Sequence, residues 1–365
     1  MRAGILLALG ATALTLLCVE IALRAIEGAT GFDFFHVMLD ERTTSPTTEL
    51  RLIDLIRLSP DPELIYELAP RIRGRFKGTP IAIGDRGARV PEDGAEPDGE
   101  LRLIGIGDSH TFGWGVAWRD TFLARIADRF AREHAGRRVA VTNLGVPGYN
   151  THQEAEVFAA KALALHPDAV VLLADQNDAG LANFIRAPLD PWSLDRSYLV
   201  DFVEIRAKRL LRANRFRNRF LQQGLLDARR ALGDQVIDGV GEAELERLPP
   251  EVRHMVGVGA VASALDRIAA LAREHGIPVV IAFYDEPGDT ALRDLVSGRA
   301  KVLGLPMADL AAPVAAWLAE PGHARSALVL SESDHHPTPL HHGIIADALY
   351  EQQLREILEL RITRR

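Results

Sequence analysis

Four short blocks of the sequence carry side chains that suit acyl transfer. They read GDSHTFGWG from residue 107, NLGVPGYNT from residue 143, DQND from residue 175 and ESDHHP from residue 332. A serine hydroxyl is a weak nucleophile, and it needs an imidazole that takes its proton as it attacks. The imidazole in turn needs a carboxylate that fixes its tautomer, and the oxyanion that forms needs N–H donors around it. The blocks therefore contain the residue types that nucleophilic catalysis by serine requires.

The pattern around these blocks predicts a parallel sheet that would bring them together. Short apolar runs, each typical of a buried strand, alternate with segments of helical spacing, and this alternation is typical of a doubly wound α/β fold. Strands are predicted over 101–106, 139–143, 169–173, 277–283 and, more weakly, 306–310, and helices over 121–133, 153–165, 261–275, 290–303 and 344–358. The first three blocks directly follow the first three strands. Ligands of such sheets bind beyond the carboxyl ends of the strands, so these blocks are expected to share one crevice.

In this order, the four blocks resemble the SGNH (GDSL-like) hydrolase superfamily, and the resemblance covers roughly residues 101–349. It implies an α/β fold of the flavodoxin-like type, a three-layer sandwich with a parallel sheet of about five strands. It also implies that Ser109 is the nucleophile and that His336, before a proline, is the general base. The N–H groups of Ser109 and Gly148 and the side chain of Asn177 would form the oxyanion hole. The family's reaction requires no cofactor and no metal.

The acidic member of the triad departs from the family pattern. The usual acid lies three residues before the histidine, where this chain has Ser333. Asp334, two residues before His336, is the natural substitute, and it resembles the Asp-x-His arrangement of some polysaccharide-acetylating SGNH domains. An alternative register pairs Glu332 with His335 but lacks the following proline. We predict that Asp334 is the acid of the triad and that His336 is the base.

A second departure lies in the crevice floor. The family usually has a glycine two residues before the asparagine, and here that position is Asp175. The carboxylate makes the floor bulkier and more acidic, which would affect the substrate rather than the Asn177 donor. His110 is expected to be a substrate-facing residue or a packing residue rather than a second base.

Two other interpretations of the same residues are disfavoured. Gly105 and Gly107 begin a G-x-G-x-x-G pattern, but His110 occupies the third glycine position and no acidic residue ends the second strand, so a dinucleotide site is not expected. A metal cluster is the other interpretation, although adjacent histidines seldom chelate one ion together. Its members would be Asp334, His335, His336, His341 and His342.

The N-terminal segment predicts a membrane anchor. Residues 3–23 form an apolar run of about the 20 residues that a helix needs to cross the hydrocarbon core. Glu20 and Arg24 lie four residues apart and are expected to pair, and Arg2 before the run favours a cytoplasmic N-terminus. We predict an uncleaved, single-pass anchor in the cytoplasmic membrane rather than a cleaved signal peptide, with the catalytic domain on the periplasmic or extracellular side. Cys18, the only cysteine, lies in this run and excludes a disulfide framework.

The length and net charge of the chain limit its domain organisation and its partners. A chain of 365 residues with net charge −8 is long enough for a large core and is too acidic for a dedicated nucleic-acid binder. We predict an anchor over 1–27, a juxtamembrane stalk with short strands over 28–99, and a hydrolase domain over 100–365 with a helical insertion at about 189–256. The basic stretch 203–232 is interpreted as a solvated helix packed on the domain, with a lid that meets lipid headgroups or an anionic glycan as the alternative.

These observations predict a serine ester hydrolase that acts through an acyl-enzyme on an acyl or acetyl ester outside the cytoplasm. Its partner would be an ester-bearing small molecule or a glycan. One rival is an O-acetyltransferase or deacetylase that acts on a cell-envelope polysaccharide. A rival from another class is a non-catalytic envelope protein that keeps the fold for carbohydrate binding or assembly.

Overall fold

A computed structural model of the chain describes residues 2–30, 47, 49–186, 192, 197–200, 225–232, 245–284 and 290–363. The chain forms two compact units, one of residues 1–43 and 186–226 and the other of residues 44–185 and 227–365. Most of the basic stretch predicted at 203–232 falls outside the described residues, so both interpretations of it stay predictions.

The first unit contains the apolar N-terminal helix, α1 (Arg2–Thr30). Its segment Gly4–Ile26 has a mean hydropathy of 2.2, so it is long and apolar enough to cross a membrane, and it is exposed except at Glu20, Leu23 and Arg24. A signal sequence has the same properties, so the anchor remains one of two interpretations. The predicted pairing within this helix is confirmed, because Arg24 Nε lies 2.8 Å from Glu20 Oε1.

The other helices and the strands follow along the chain. The strands are β1 (Glu49–Leu50), β2 (Ile56–Leu58), β3 (Tyr66–Leu68), β4 (Ile72–Phe76), β5 (Thr79–Ile83), β6 (Arg89–Val90), β7 (Leu101–Gly107), β8 (Val139–Asn143), β9 (Ala169–Ala174), β10 (Phe184–Arg186), β11 (Leu225–Asp227), β12 (Val279–Phe283), β13 (Met307–Ala308), β14 (Val329–Ser331) and β15 (Asp334–Pro337). The helices are α2 (Leu52–Leu55), α3 (Ser109–Phe112), α4 (Phe122–Glu133), α5 (Thr151–Val157), α6 (Ala228–Leu232), α7 (Val258–His275), α8 (Ala291–Leu303), α9 (Ala311–Leu318), α10 (Pro339–Leu349) and α11 (Arg355–Thr363).

A nine-stranded sheet in the order β1-β4-β5-β6-β8-β7-β9-β12-β13 forms the centre of the second unit. Five neighbouring strands of this sheet, β8, β7, β9, β12 and β13, are parallel to one another, which confirms the predicted fold class and the predicted number of parallel strands. Every residue of β9 is buried, as expected of a strand that has parallel neighbours on both sides and helices on both faces. The carboxyl ends of these strands form the edge at which the predicted site residues lie.

Residues 49–90 add the other half of the sheet. β6 runs antiparallel to β8 with Arg89 opposite Asn143, and β5 and β4 continue the antiparallel pairing outward. The short strands predicted in this region are therefore present. β1, β4, β5 and β6 belong to the same sheet as the parallel strands, and β2 pairs only with β3, as a separate antiparallel pair. The predicted domain boundaries at residues 27 and 99 stay predictions.

Caps explain where the helices begin. Thr121 Oγ1 accepts a hydrogen bond from the N–H of Ala124 at the start of α4. Asn150 and Gln153 form a capping box that begins α5 at Thr151, two residues before the predicted start. Thr338 caps α10 with a proline in its first turn, so this helix begins at Pro339 rather than at residue 344.

Candidate active site

Ser109 is placed at the crevice by a tight turn after β7. Asp108 caps the short helix α3, and its Oδ1 accepts the N–H of His110 at 2.8 Å. Gly107 has φ +154°, and a Cβ there would lie 2.2 Å from Thr111 Oγ1 and 2.8 Å from the carbonyl oxygen of Leu173. This turn therefore requires glycine, and it holds Ser109 as the first residue of a helix, where the N–H has no acceptor within the helix.

His336 and Asp334 lie in line with the serine hydroxyl. His336 Nε2 is 2.8 Å from Ser109 Oγ, and His336 Nδ1 is 2.6 Å from Asp334 Oδ1. Both residues are in β15, which pairs antiparallel with β14. Because side chains two residues apart in a strand point to the same face, the Asp-x-His spacing brings the carboxylate beside the imidazole.

The alternative pair lies elsewhere. The side chains of Glu332 and His335 are exposed, and His335 Nε2 is 3.1 Å from the backbone carbonyl oxygen of Glu332. Because neighbouring side chains in a strand point to opposite faces, His335 lies on the other face of β15 from His336. The structure thus brings Ser109 together with Asp334 and His336 and leaves this pair apart from them.

Electrostatics keep His336 neutral near pH 7. Burial lowers its pKa and the positive charge of His110 lowers it further, while the hydrogen bond with Asp334 opposes both effects. The net pKa is below the ordinary histidine value. Burial opposes ionisation of Asp334, but the hydrogen bonds and charge of His336, together with the hydrogen bond from Trp114, outweigh it and lower the pKa of the carboxyl group. A neutral imidazole beside an ionised carboxylate is the arrangement that a general base needs.

Trp114 and Lys77 complete the surroundings of the carboxylate. The indole stacks on the His336 ring with centroids 4.7 Å apart, and its Nε1 donates to Asp334 Oδ2 at 3.2 Å. Lys77, in the turn between β4 and β5, has its Nζ 3.6 Å from the same oxygen and 5.0 Å from the Trp114 ring centroid. Sequence reasoning missed both residues, and for Lys77 no local signal pointed to this contact.

Asn177 and Ser109 both contact one oxygen of Asp108. Oδ2 of Asp108 accepts from Ser109 Oγ at 2.8 Å and from Asn177 Nδ2 at 3.0 Å. Asn177 Nδ2 also donates to Asp175 Oδ2 at 3.1 Å. Both hydrogens of the amide are therefore engaged by carboxylates, and one of them has to be released before it can bind an oxyanion.

The loop of Gly148 runs beside the turn that carries Ser109. The N–H of Val146 donates to the carbonyl oxygen of Gly107 at 3.0 Å, which ties the two segments together. Gly148 has φ +77°, and a Cβ there would lie 2.0 Å from Nδ2 of Asn183. Only glycine fits this conformation and this close approach.

A buried ion cluster lies beneath these residues. His110 Nδ1 is 2.6 Å from Asp175 Oδ2 and 3.1 Å from Asp108 Oδ1. Its ring stacks on Tyr284 at 4.1 Å and lies 5.3 Å from the His336 ring. Burial alone would lower the pKa of His110, but the two carboxylates raise it well above the ordinary value, so the ring is an imidazolium. His110 thus packs inside the protein as an ion-pair partner.

The acids around His110 differ in charge. The charge and hydrogen bonds of His110 outweigh burial and hold the pKa of Asp108 well below its usual range. Burial and repulsion by Asp108 raise the pKa of Asp175 to about 6. Burial raises the pKa of Glu154 and of Asp178 well above ordinary values, and the charges of Asp108 and Asp175 raise both further.

Arg89, in β6, supports the loop that follows Ser109. It is fully buried, and its guanidinium donates to the carbonyl oxygens of Phe112, Gly113 and Val116 at 2.5–2.6 Å. Burial lowers the pKa of Arg89 to about 10, which leaves it charged at pH 7. The sequence offered no sign of this role, because the contact joins an interior strand of the antiparallel half to a loop of the parallel half.

The histidines of the disfavoured metal-cluster interpretation do not converge on one point. His341 Nδ1 lies 3.2 Å from the carbonyl oxygen of Leu328, and the N–H of Phe122 donates to Nδ1 of His342 at 3.3 Å. Burial lowers the pKa of His341 to about 4. Two other groups in the described part of the chain have ligand atoms within 4.8 Å of one another. They are Asp108, His110 and Asp175, already described as an ion cluster, and Glu63, His152 and His254.

The chain is similar to a known protein family and to several solved structures. A family model of the GDSL-like Lipase/Acylhydrolase family matches residues 106–343, more than half of the chain. Among curated proteins, none matches the chain closely enough to count as a relative. Solved structures of similar fold include an acetylxylan esterase from Geobacillus stearothermophilus, with 14% identity and a TM-score of 0.42 over 71% of this chain and 96% of that one.

Two further solved structures have comparable similarity. TesA has 12% identity and a TM-score of 0.40 over 70% of this chain and 99% of that one. An alpha/beta hydrolase from the metagenome of Lake Arreo, Spain, has 16% identity and a TM-score of 0.41 over 70% of this chain and 95% of that one. The match of the family model is the finding that identifies the chain: it belongs to the GDSL-like lipase/acylhydrolase family, a family of ester-bond hydrolases.

Proposed function

We propose that the chain hydrolyses an acyl or acetyl ester through an acyl-enzyme on Ser109, with His336 as general base and Asp334 as its partner. The observation that carries this proposal is the continuous line of contacts from Asp334 through His336 to Ser109, at 2.6 and 2.8 Å. Both distances are within hydrogen-bond reach, which is the first requirement for a nucleophile and its base.

The first half of the reaction uses the neutral state of His336. Ser109 Oγ attacks the ester carbonyl carbon, and its proton passes to His336 Nε2. Collapse of the tetrahedral intermediate breaks the carbon–oxygen bond of the ester, and the alcohol leaves with the proton from His336. Water then attacks the acyl-enzyme with the same assistance, and the carboxylic acid and free Ser109 are restored.

The hydroxyl proton of Ser109 has two acceptors before substrate binds. Oγ lies 2.8 Å both from His336 Nε2 and from Asp108 Oδ2. Attack requires the proton to be directed to His336, because Asp108, whose pKa is depressed, is a poor base. Asp108 therefore orients the hydroxyl, and His336 removes its proton.

The oxyanion is proposed to bind the N–H groups of Ser109 and Gly148 and the side-chain amide of Asn177. The position of Asn177 supports this role, because its Nδ2 and Ser109 Oγ contact the same oxygen of Asp108. One amide hydrogen would turn from a carboxylate to the oxyanion as negative charge develops there. The neutral ester carbonyl competes poorly with a carboxylate for this hydrogen, whereas the oxyanion is itself an ionic acceptor, so the donor favours the transition state over the bound substrate.

Transfer to a glycan is the second candidate. It is favoured by the two-residue spacing of Asp334 and His336, which resembles the Asp-x-His arrangement of some polysaccharide-acetylating SGNH domains. In that reaction a sugar hydroxyl replaces water as the group that attacks the acyl-enzyme. The chemistry at Ser109 is otherwise the same, so products must distinguish the two.

A serine-reactive phosphonate followed by an ester screen tests the proposal. The full-length chain should be labelled, Ser109→Ala should not be labelled, and the label should map to Ser109. Acetyl, butyryl and longer esters are then compared with and without a polysaccharide acceptor. Free acid alone supports hydrolysis, and an acylated polysaccharide supports transfer. Undiminished labelling of Ser109→Ala would remove Ser109 as the nucleophile.

We also propose that the enzyme acts outside the cytoplasm, tethered through residues 3–23. The apolar helix α1 supports this placement. Cys18 is the only cysteine of the chain. A variant with both Cys18→Ser and Gly298→Cys therefore has a single thiol, at an exposed position of α8. A membrane-impermeant maleimide should label it in intact bacterial spheroplasts. Labelling that appears only after lysis would place the domain in the cytoplasm.

A further inference from the structure

A second group of side chains converges on one point and takes no part in the proposed reaction. Nε2 of His152 and Nε2 of His254 lie 2.7 and 2.8 Å from the same oxygen, Oε2 of Glu63. The two imidazole rings meet edge to face with centroids 5.1 Å apart. We propose that Glu63, His152 and His254 bind a divalent transition-metal ion, with zinc as the best fit.

The donor set suits zinc. Two imidazole nitrogens and one carboxylate oxygen are a common ligand set for Zn²⁺, which takes such atoms at about 2.0–2.2 Å in a tetrahedral arrangement. Ligand atoms at that distance are about 3.3 Å apart in a regular tetrahedron. The two contacts at 2.7 and 2.8 Å are a few tenths of an ångström shorter, so small rotations of the side chains open the space for the ion.

The site is open to solvent. The side chains of His254 and Glu63 are 50% and 37% exposed, so an ion can enter from solvent and keep a water as its fourth ligand.

The backbone segments that carry the three ligands are already fixed to one another. Next to His152, Gln153 Nε2 donates to the carbonyl oxygen of Leu64 at 2.8 Å. Next to His254, the carbonyl oxygen of Met255 accepts from Asn150 Nδ2 at 3.0 Å. These bonds hold the turn before β3, the first turn of α5 and the 245–257 segment in place, so little ordering remains when the ion binds.

The site has a structural role in this proposal. Its residues do not belong to the Ser109–His336–Asp334 line, and zinc there would clamp the segment that follows Gly148 to two distant parts of the chain. The hydrogen bonds of Asn150 and Gln153 hold the same segments without zinc. We therefore expect zinc to raise the melting temperature, and ester turnover at moderate temperature to survive its removal.

Zinc titration of the full-length chain in detergent, without a polyhistidine tag, tests the proposal. After EDTA treatment and dialysis, calorimetry should show one Zn²⁺ bound per chain, and the melting temperature should rise with Zn²⁺ and fall again with EDTA. Co²⁺ should give visible absorption bands of a tetrahedral site. Ca²⁺ should have no effect, because it prefers oxygen ligands.

Single substitutions of the ligands provide the decisive comparison. Glu63→Gln, His152→Gln and His254→Gln should each lower the zinc affinity at least about tenfold. His134→Gln is the matched control, because His134 pairs with Glu359 at 3.0 Å on another surface and has one imidazole rather than two. The control should bind zinc like the unmodified chain.

Two results would overturn the proposal. One is the absence of saturable zinc binding, and the other is equal zinc affinity in the unmodified chain and all three variants. Circular dichroism checks that each variant is folded. If Glu63→Gln unfolds, the half-exposed His254 still provides a variant that answers the question.

Discussion

Oδ2 of Asp175 lies 2.6 Å from Nδ1 of His110, so a buried ion pair occupies the position where the SGNH pattern usually has glycine. The pair lies under the proposed triad, with the His110 ring 5.3 Å from that of His336. A positive charge at this distance disfavours protonation of His336. The departure at residue 175 therefore affects the base as well as the crevice floor.

His110→Gln should move the acid limb of the pH–rate profile to higher pH. In the unmodified enzyme the limb reports protonation of His336, whose pKa lies below the ordinary 6.5. Activity then rises with pH through that pKa and becomes level above it. Removal of the His110 charge takes away one cause of the lowered pKa and leaves the negative Asp108, which raises it. The measurement is kcat/KM between pH 4.5 and 8.5.

A double variant shows whether a shift of the acid limb comes from the lost charge or from misfolding. His110→Gln leaves Asp108 and Asp175 without their cation in a buried site, which is destabilising. His110→Gln with Asp175→Asn removes one of the two charges and should keep the shift while it restores stability. A limb that stays in place in both variants would contradict the influence of His110 on the base.

Asn177→Ala should lower kcat by roughly 10²–10³-fold with little change in KM. An oxyanion-hole donor acts on the charge that develops in the transition state, and removal of one such donor has an effect of this size. Gln176→Ala, its neighbour, is the control. Steady-state kinetics on the best ester from the screen check the result. A higher KM with an unchanged kcat would show that Asn177 binds the substrate instead.

Asp334→Asn should lower kcat by roughly 10²–10⁴-fold, because an amide cannot hold the His336 tautomer that accepts the serine proton. Glu332→Gln should leave kcat unchanged, because the side chain of Glu332 is exposed. Rates of the two variants at pH 7 decide between the two registers. Equal losses would leave the acid unassigned.

The parallel half of the fold could be predicted from local patterns. The predicted bounds of β8 agree with the observed ones, and those of β7 and β9 agree to within one residue. β9 shows the clearest signal, because a continuous apolar run marks a strand that is buried on both faces. Two helices, α5 and α10, begin earlier than predicted, because their capping residues lie before the first residue of the apolar pattern. The antiparallel edge was harder to predict, because β1 and β6 have two residues each and their partners are set by distant contacts.

The site divides in the same way. Ser109, Asp334 and His336 lie in short motifs, and their mutual distances agree with the roles expected of them, which stay predictions. Lys77 and Arg89 could not have been found, because each acts on residues that are distant in sequence. The role of Asp175 was only partly foreseen. Its carboxylate was expected to make the crevice acidic, whereas in the fold it pairs with His110 and holds Asn177.

Arg89→Lys should destabilise the protein and slow acylation together. The guanidinium donates to three carbonyl oxygens of residues 112, 113 and 116, and a lysine ammonium cannot span them in the same plane. Loss of two of these bonds to a buried cation should cost about 2–5 kcal/mol in the free energy of unfolding.

The same change loosens the loop that carries Trp114, so phosphonate labelling of Ser109 should slow as well. Urea denaturation and the labelling rate measure the two effects. Arg71→Lys is the control, because Arg71 forms an exposed ion pair at 3.8 Å with Asp85, and such pairs contribute about 0–1 kcal/mol. A destabilised Arg89→Lys that is labelled at the full rate would show that Arg89 supports the fold without supporting the position of the serine.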